Sequence, residues 1–211
     1  MVKKIVLPGD LLFSERKRLG NNVFVSGGKI YSNVVGVFDS DNDVASVVPL
    51  EGKYTPRLDD NVVGIITRVI HAGYMVDINS FSESFIPRSS IRTDLRLGDI
   101  IFAKVSGLKE GNEAELSYPK KTFGGEIIEL SPVRSPRLIG KNGSMLDLLT
   151  EGSGCEIFVG KNGRVWAKEG DINELKKIVG FIEKNSYKSK LTNAVEAYVK
   201  KSGGEKWLKK K

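Results

Sequence analysis

Apolar positions along the chain follow three successive patterns. Between Val23 and Val48 they come in short runs rich in valine, isoleucine and aromatics: Val23 to Val25, Lys29 to Phe38 and Val44 to Val48. Ser26-Gly27-Gly28 and Asp39 to Asp43 separate these runs. Such runs, closed by glycine and aspartate turns, predict a small all-β module. After Tyr54-Thr55-Pro56 a second set begins, with strands predicted at Val62 to Ile70, Gly73 to Ile78, Ser84 to Pro87, Asp99 to Val105 and Glu115 to Ser117. Five short strands at this spacing suit a small Greek-key barrel. Beyond Phe123 helical periodicity enters. Glu126 to Leu130 reads as a strand, while Cys155 to Val159 and Arg164 to Ala167 read as a hairpin. Ile172, Leu175, Ile178, Val179 and Ile182 then mark one face of a helix from about Asp171 to Lys184. Leu191, Ala194, Val195, Tyr198 and Val199 predict a further helix. The fold class expected is therefore multidomain, β-rich plus α/β, with modules at residues 1–57, 58–122 and 123–211.

Charge changes this picture because it is uneven. The formal net charge is +7, a balance that suits a polyanionic partner. Residues 1–57 carry +2, residues 58–122 carry −1 and residues 123–211 carry +6. The final 12 residues alone hold +5, through Lys200, Lys201, Lys206, Lys209, Lys210 and Lys211 against Glu205. A lysine-rich end of this kind reads as a solvated tail. With one cysteine, Cys155, and one histidine, His71, the chain has neither a disulfide framework nor a Cys/His zinc cluster, and no cofactor is expected. Asp39, Asp41 and Asp43 have the spacing of a calcium loop, but Val44 stands where glycine is needed and Leu50 where a bidentate glutamate belongs, so a plain turn is expected. No run approaches the roughly 18 apolar residues of a membrane span, and Pro8 and Asp10 interrupt any signal-peptide core. A cytoplasmic protein with no membrane partner is the expectation.

The tetrapeptide Gly-Lys-Asn-Gly occurs twice, at Gly140–Gly143 and at Gly160–Gly163. Context separates the copies. The second lies between the β-type runs Ile157-Phe158-Val159 and Arg164-Val165-Trp166, where Asn-Gly makes a hairpin turn because both residues tolerate positive φ. The first lies between Arg137-Leu138-Ile139 and Ser144 to Leu149, and Ser144 with Asp147 three residues on is a helix-start signature. There, glycines admit a close sugar-phosphate backbone, amides at a helix start favour phosphate, and Lys141 adds a positive charge. RNA contact is therefore expected at Gly140, Lys141, Asn142, Gly143 and the adjoining Arg137.

The order of a strand, a Gly-x-x-Gly loop between two short helices, a hairpin and a last helix resembles a K-homology (KH) domain of the eukaryotic type, over Ile139 to Gly143, Met145 and Gly154 to Ile157. The preceding strands resemble an S1 RNA-binding domain, an oligonucleotide-binding barrel. The matching residues are Gly73, Val76 and Asp77; Pro87 and Ser89; Leu95, Gly98, Asp99, Ala103, Lys104 and Val105; and Leu116 and Ser117. Where S1 domains place two aromatics and a histidine, this chain has Ala72, Met75 and Pro87. The usual stacking platform, worth about 1–3 kcal/mol per base, is thus absent from those positions. Binding on the barrel is expected from Arg68, Arg88, Arg92 and Lys104, in a salt-sensitive and sequence-independent manner.

A β module, one S1 domain and one KH domain in that order resemble the RNA-binding cap subunits of the exosome, the ribosomal-RNA-processing protein four type, most like the archaeal form. Val6-x-Pro8-Gly9-Asp10-x-Leu12, Tyr54-x-Pro56 before Val62-x-Gly64, and Pro132, Pro136, Arg137, Ile139, Gly140, Asn142 and Gly143 carry that likeness. It implies a subunit that is not a nuclease. Three copies would cap a hexameric ring of RNase-PH-like subunits, with the N-terminal module on the ring and the RNA modules around the channel entrance. Single-stranded RNA and the ring subunits are the implied partners. No nucleophile elbow, P-loop or metal-binding histidine pair is legible. The alternative is an S1/KH transcription or translation factor acting outside the exosome.

Overall fold

The structure, a computed structural model, describes residues 3–39, 44–91, 93–109, 113–186 and 191–201. It divides into two units, Met1–Gly52 and Lys53–Lys211. Residues 40–43, on which the expected turn falls, Arg92 and the lysine-rich end from residue 202 onward lie outside the described residues.

The first unit contains β1 (Lys3–Val6), β2 (Leu11–Phe13), β3 (Arg18–Leu19), β4 (Val23–Ser26), β5 (Lys29–Ser32), β6 (Gly36–Asp39), β7 (Val44–Ala45) and β8 (Val47–Pro49). They form sheets in the orders β1-β6-β8 and β2-β5-β4, with a short parallel pair β3-β7. The Pro8-Gly9-Asp10 turn joins β1 to β2: the Leu7 amide donates to the Asp10 carboxylate at 2.9 Å, and Gly9 adopts φ 90°, a conformation that glycine tolerates best. The run from Lys29 to Phe38 is two strands rather than the single one its composition suggests. After β5 the Ser32 hydroxyl donates to the Val34 carbonyl at 2.7 Å, so a local side-chain turn displaces ladder bonding. Val6, Phe38 and Val47 form a small core with Leu12, Phe13, Val23 and Val34 against it.

In the second unit, β9 (Asn61–Ile70), β10 (Gly73–Asp77), β11 (Ser84–Pro87), β12 (Ile100–Leu108) and β13 (Ala114–Lys121) close into a barrel of order β10-β11-β13-β12-β9. The parallel contact Phe85↔Glu115 makes the closure. Strand alternation sends Val62, Ile66, Tyr74, Val76, Ile86 and Leu116 inward, where each is almost wholly buried.

The rest of the unit is β14 (Glu126–Glu129), α1 (Ser135–Ile139), α2 (Ser144–Ser153), β15 (Glu156–Val159), β16 (Arg164–Lys168), α3 (Ile172–Asn185) and α4 (Leu191–Lys201). The antiparallel sheet β14-β16-β15 and the helices bury Leu138, Met145, Leu149, Val165, Leu175 and Ile178 between them. Asp171 starts α3 by accepting from the Glu174 amide at 2.9 Å, and Gly154 at φ 68° ends α2. The apolar face of α4 returns to this core through Leu191, Val195 and Val199, and Tyr198 stacks on Phe181 at 4.5 Å. No helix among the described residues is long and apolar enough to cross a membrane.

Candidate nucleic-acid interface

The first Gly-Lys-Asn-Gly copy is the turn between α1 and α2. Gly140 leaves α1 at φ 73°, ψ −179°, and a Cβ there would stand 2.8 Å from the Met145 backbone nitrogen, so only glycine permits α2 to start this close. Asn142 (φ 53°) and Gly143 (φ 84°) complete the turn in left-handed conformations that asparagine and glycine adopt most readily. Ser144 is not the cap its spacing with Asp147 suggests. Gly143 occupies that position, and no side chain caps α2. Lys141 and Asn142 are exposed, as is Arg137 one helical turn earlier. Among the described residues, neither Arg137 nor Lys141 has a carboxylate partner. The loop thus presents two free cations and a backbone without side-chain obstruction at the start of a ten-residue helix.

The second copy has the opposite fate. It does form the turn between β15 and β16, but only Gly163 takes positive φ (78°). Asn162 is 0% exposed and is built into the barrel: its amide nitrogen donates to the Val63 and Ile78 carbonyls at 2.7 and 2.9 Å, and its side-chain oxygen accepts from the Val63 amide at 3.1 Å. The Asn79 side chain donates to the Asn162 carbonyl at 3.1 Å, and the Lys161 amide donates to the Asn61 carbonyl. Lys161 pairs with Asp60 at 3.0 Å, and the other oxygen of Asp60 accepts from the Tyr54 hydroxyl at 2.7 Å. Burial first, then this bond to Asp60, pushes the Tyr54 hydroxyl far above the ordinary range. Arg164, immediately after the turn, reaches Asp77 at 2.6 Å and Glu129 at 3.0 Å. Burial works to raise the Asp77 carboxyl, but the Arg164 guanidinium and the Asn79 amide hold it below its ordinary value.

The barrel cations do not form one set. Arg68 pairs across from Met75, and Met75 from Phe85, so these three side chains form a row over β9, β10 and β11. Arg88 directly follows β11, its guanidinium 5.9 Å from the Tyr74 ring and 3.4 Å from Asp94. Lys104 pairs instead with Asn61, seven residues back along β9 from Arg68, or about 23 Å at strand spacing. Most of these charges are matched. Arg68 bonds to Glu83, whose carboxyl is held low first by the Thr67 hydroxyl and then by Arg68. Lys104 bonds to Asp59 at 2.8 Å, raising the amine and lowering the acid.

Residues 3–51 match the family described as the exosome RNA binding protein RRP4 N-terminal domain, and residues 125–173 match the KH domain. The chain is 35% identical, over 95% of its length and 83% of the relative's, to the exosome complex component Rrp4 of Methanosarcina barkeri. It is 34% identical to that of Pyrobaculum aerophilum, covering 93% of this chain and 92% of the relative. A crystal structure described provisionally as an exosome complex RNA-binding protein superposes with TM-score 0.65 at 26% identity, covering 74% of this chain and 99% of that one. The chain belongs to the Rrp4 family of exosome components.

The Rrp4-type N-terminal match ends at residue 51, one residue before the first structural unit ends at Gly52. The KH match includes both Gly-Lys-Asn-Gly copies, so family membership alone does not say which one is free; burial does. One outward aromatic escaped notice in the sequence. Phe85 stands on the outer barrel face beside Met75, with the Lys109 ammonium 5.6 Å from its ring, so a stacking surface remains one strand away from the expected positions. The signal was strand alternation, masked because a serine, Ser84, occupies the buried position before it.

Proposed function

We propose that this chain is the non-catalytic RNA-binding subunit of an exosome complex. In this reading residues 1–57 dock on RNase-PH-like ring subunits. The S1 barrel (58–122) and the KH domain (123–211) collect single-stranded RNA at the channel entrance, three copies capping a hexameric ring in the cytoplasm. The observation that carries the proposal is the exposed first loop, with Arg137 and Lys141 free of carboxylates among the described residues and no side-chain cap on α2. A phosphate can approach the glycines, accept from loop amides and gain the helix-start and lysine charges together. Arg68, Arg88 and Lys104 then contribute a weaker, salt-sensitive attraction, because these matched cations must exchange a carboxylate for a phosphate, and Arg92 adds its charge to the same module. Loose contact suits a substrate that is handed onward, and the degradative chemistry belongs to the ring.

Docking is supported by the distribution of apolar surface. Ile5, Leu7, Leu11, Leu19, Phe24 and Val48 are among the large apolar side chains the first unit leaves exposed, while Val6, Ile30, Phe38, Ala45 and Val47 are the apolar residues it buries among those described. Two experiments test the reading. RNase-PH-like subunits should co-purify with the full chain and be lost on deleting residues 1–52. Lys141→Glu combined with Arg88→Glu should weaken single-stranded RNA binding by the assembled complex. Unchanged affinity in that double variant overturns the site.

A further inference from the structure

The RNA-binding reading leaves one groove unused. Within the second unit, a cavity of about 370 Å³ is lined by Phe102, Lys104, Tyr118 and Lys120 of the barrel and by Ile157 and Phe158 of the KH sheet. Its floor is a fixed aromatic cluster: Phe102 stacks on Phe158 at 3.9 Å and meets Trp166 edge-on at 5.3 Å, while the indole N–H of Trp166 donates to the Gly124 carbonyl. This volume falls in the range of ligand pockets, about 300–1,000 Å³.

Tyr118 is the unusual member. In the β12–β13 ladder Phe102 pairs with Lys120 and Lys104 with Ser117, so Tyr118 and Pro119 together face Ala103 alone. This is a bulge, a device that re-aims a side chain out of the barrel wall. Tyr118 adopts φ 51°, a region an aromatic residue rarely enters and one that a following proline further disfavours. The residue is 83% exposed, and its ring stacks on no other aromatic among the described residues. Packing therefore gives no reason for a strained, outward tyrosine at the rim of a groove. Strain of this sort is retained where surroundings over-determine it and collects at binding sites. Lys120 beside it has no carboxylate partner among the described residues, and Glu156 lies across the groove on the KH side.

We infer that this groove seats one nucleotide of single-stranded RNA, its base stacked on Tyr118 and its phosphate held by Lys120 and Lys104. The carboxylate of Glu156 keeps the phosphate on the barrel side of the groove. A flat ring accepts any base, so the seat adds affinity without sequence preference. The inference rests on the RNA-binding reading and extends it to a second contact point.

Fluorescence anisotropy of the full-length chain with a labelled ten-nucleotide oligouridylate at low salt tests it. Tyr118→Ala should weaken binding about tenfold, and Tyr118→Phe should stay within about twofold of wild type. Tyr118→Gly should match the alanine variant in affinity while keeping the wild-type unfolding midpoint, because glycine accepts the bulge conformation. If Tyr118→Ala binds as wild type while Lys141→Glu binds more weakly, the groove assignment is wrong and the RNA reading stands. A Tyr118→Phe loss equal to that of alanine overturns stacking as the cause. A wild-type chain without measurable affinity overturns the RNA reading and the groove with it.

Discussion

Gly140–Gly143 and Gly160–Gly163 spell the same four residues 20 positions apart, yet one lies open between two helices and the other is locked between a hairpin and a barrel. The asparagines show the difference best. Asn142 is exposed in the left-handed region, where its short polar side chain makes that backbone tolerable. Asn162 has ordinary φ and spends its side chain on three barrel backbone groups. The lysines differ likewise: Lys161 neutralises Asp60, a nearly buried carboxylate, whereas Lys141 has no acid to neutralise among the described residues. A glycine-lysine motif therefore says little about a site until it is known which backbone its asparagine serves.

Mutating equivalent positions should pull the two copies apart. The largest effect is expected at Asn162→Ala, which strands buried donors and acceptors of Val63 and Ile78 and should cost about 2–4 kcal/mol in urea unfolding; Asn142→Ala should cost less than about 1 kcal/mol. Equal losses would erase the contrast. Next come the lysines. Lys141→Glu should weaken single-stranded RNA binding roughly tenfold at low salt, converging on wild type as salt rises, with no change in unfolding midpoint. Lys161→Glu should do the reverse, leaving affinity unchanged while placing two acids together and lowering stability.

Acid should sharpen the comparison further. The folded Asp77 carboxyl sits below its ordinary value, so it contributes stability above about pH 4 and loses it as the pH falls through the depressed folded value. The difference in urea midpoint between wild type and Asp77→Asn should therefore be largest near neutrality and shrink by pH 2.5. A constant difference would mean that folding does not hold the Asp77 carboxyl low. The smallest effect belongs to Asn142→Gly, which relieves a left-handed asparagine and should leave stability within about 0.5 kcal/mol of wild type.

Much of this was legible in the sequence because periodicity and turn chemistry agreed. The inward alternation of Tyr74, Val76 and Ile78 in the barrel and the face of α3 after the Asp171 cap are local patterns that packing then respects. What stayed hidden depends on register. Arg68, Arg88 and Lys104 read as one group, but strand pairing sends Lys104 to the other end of β9. The break after Ser32 comes from one hydroxyl hydrogen bond within an otherwise strand-like run. At Tyr118 a signal was present, since proline inside a strand marks an edge or a bulge, but its direction requires the β12 partner. Nor could the sequence show that Asn162 finds its partners 84 and 99 positions away.

The central claim is that RNA meets the first Gly-Lys-Asn-Gly copy and not the second. Ultraviolet crosslinking of the full-length chain to a 4-thiouridine-substituted single-stranded RNA, followed by mass spectrometry of the adducts, tests it most directly. The account predicts adducts within Arg137–Ser144 and none within Gly160–Arg164. Adducts at the second copy with an unmodified first loop would contradict it.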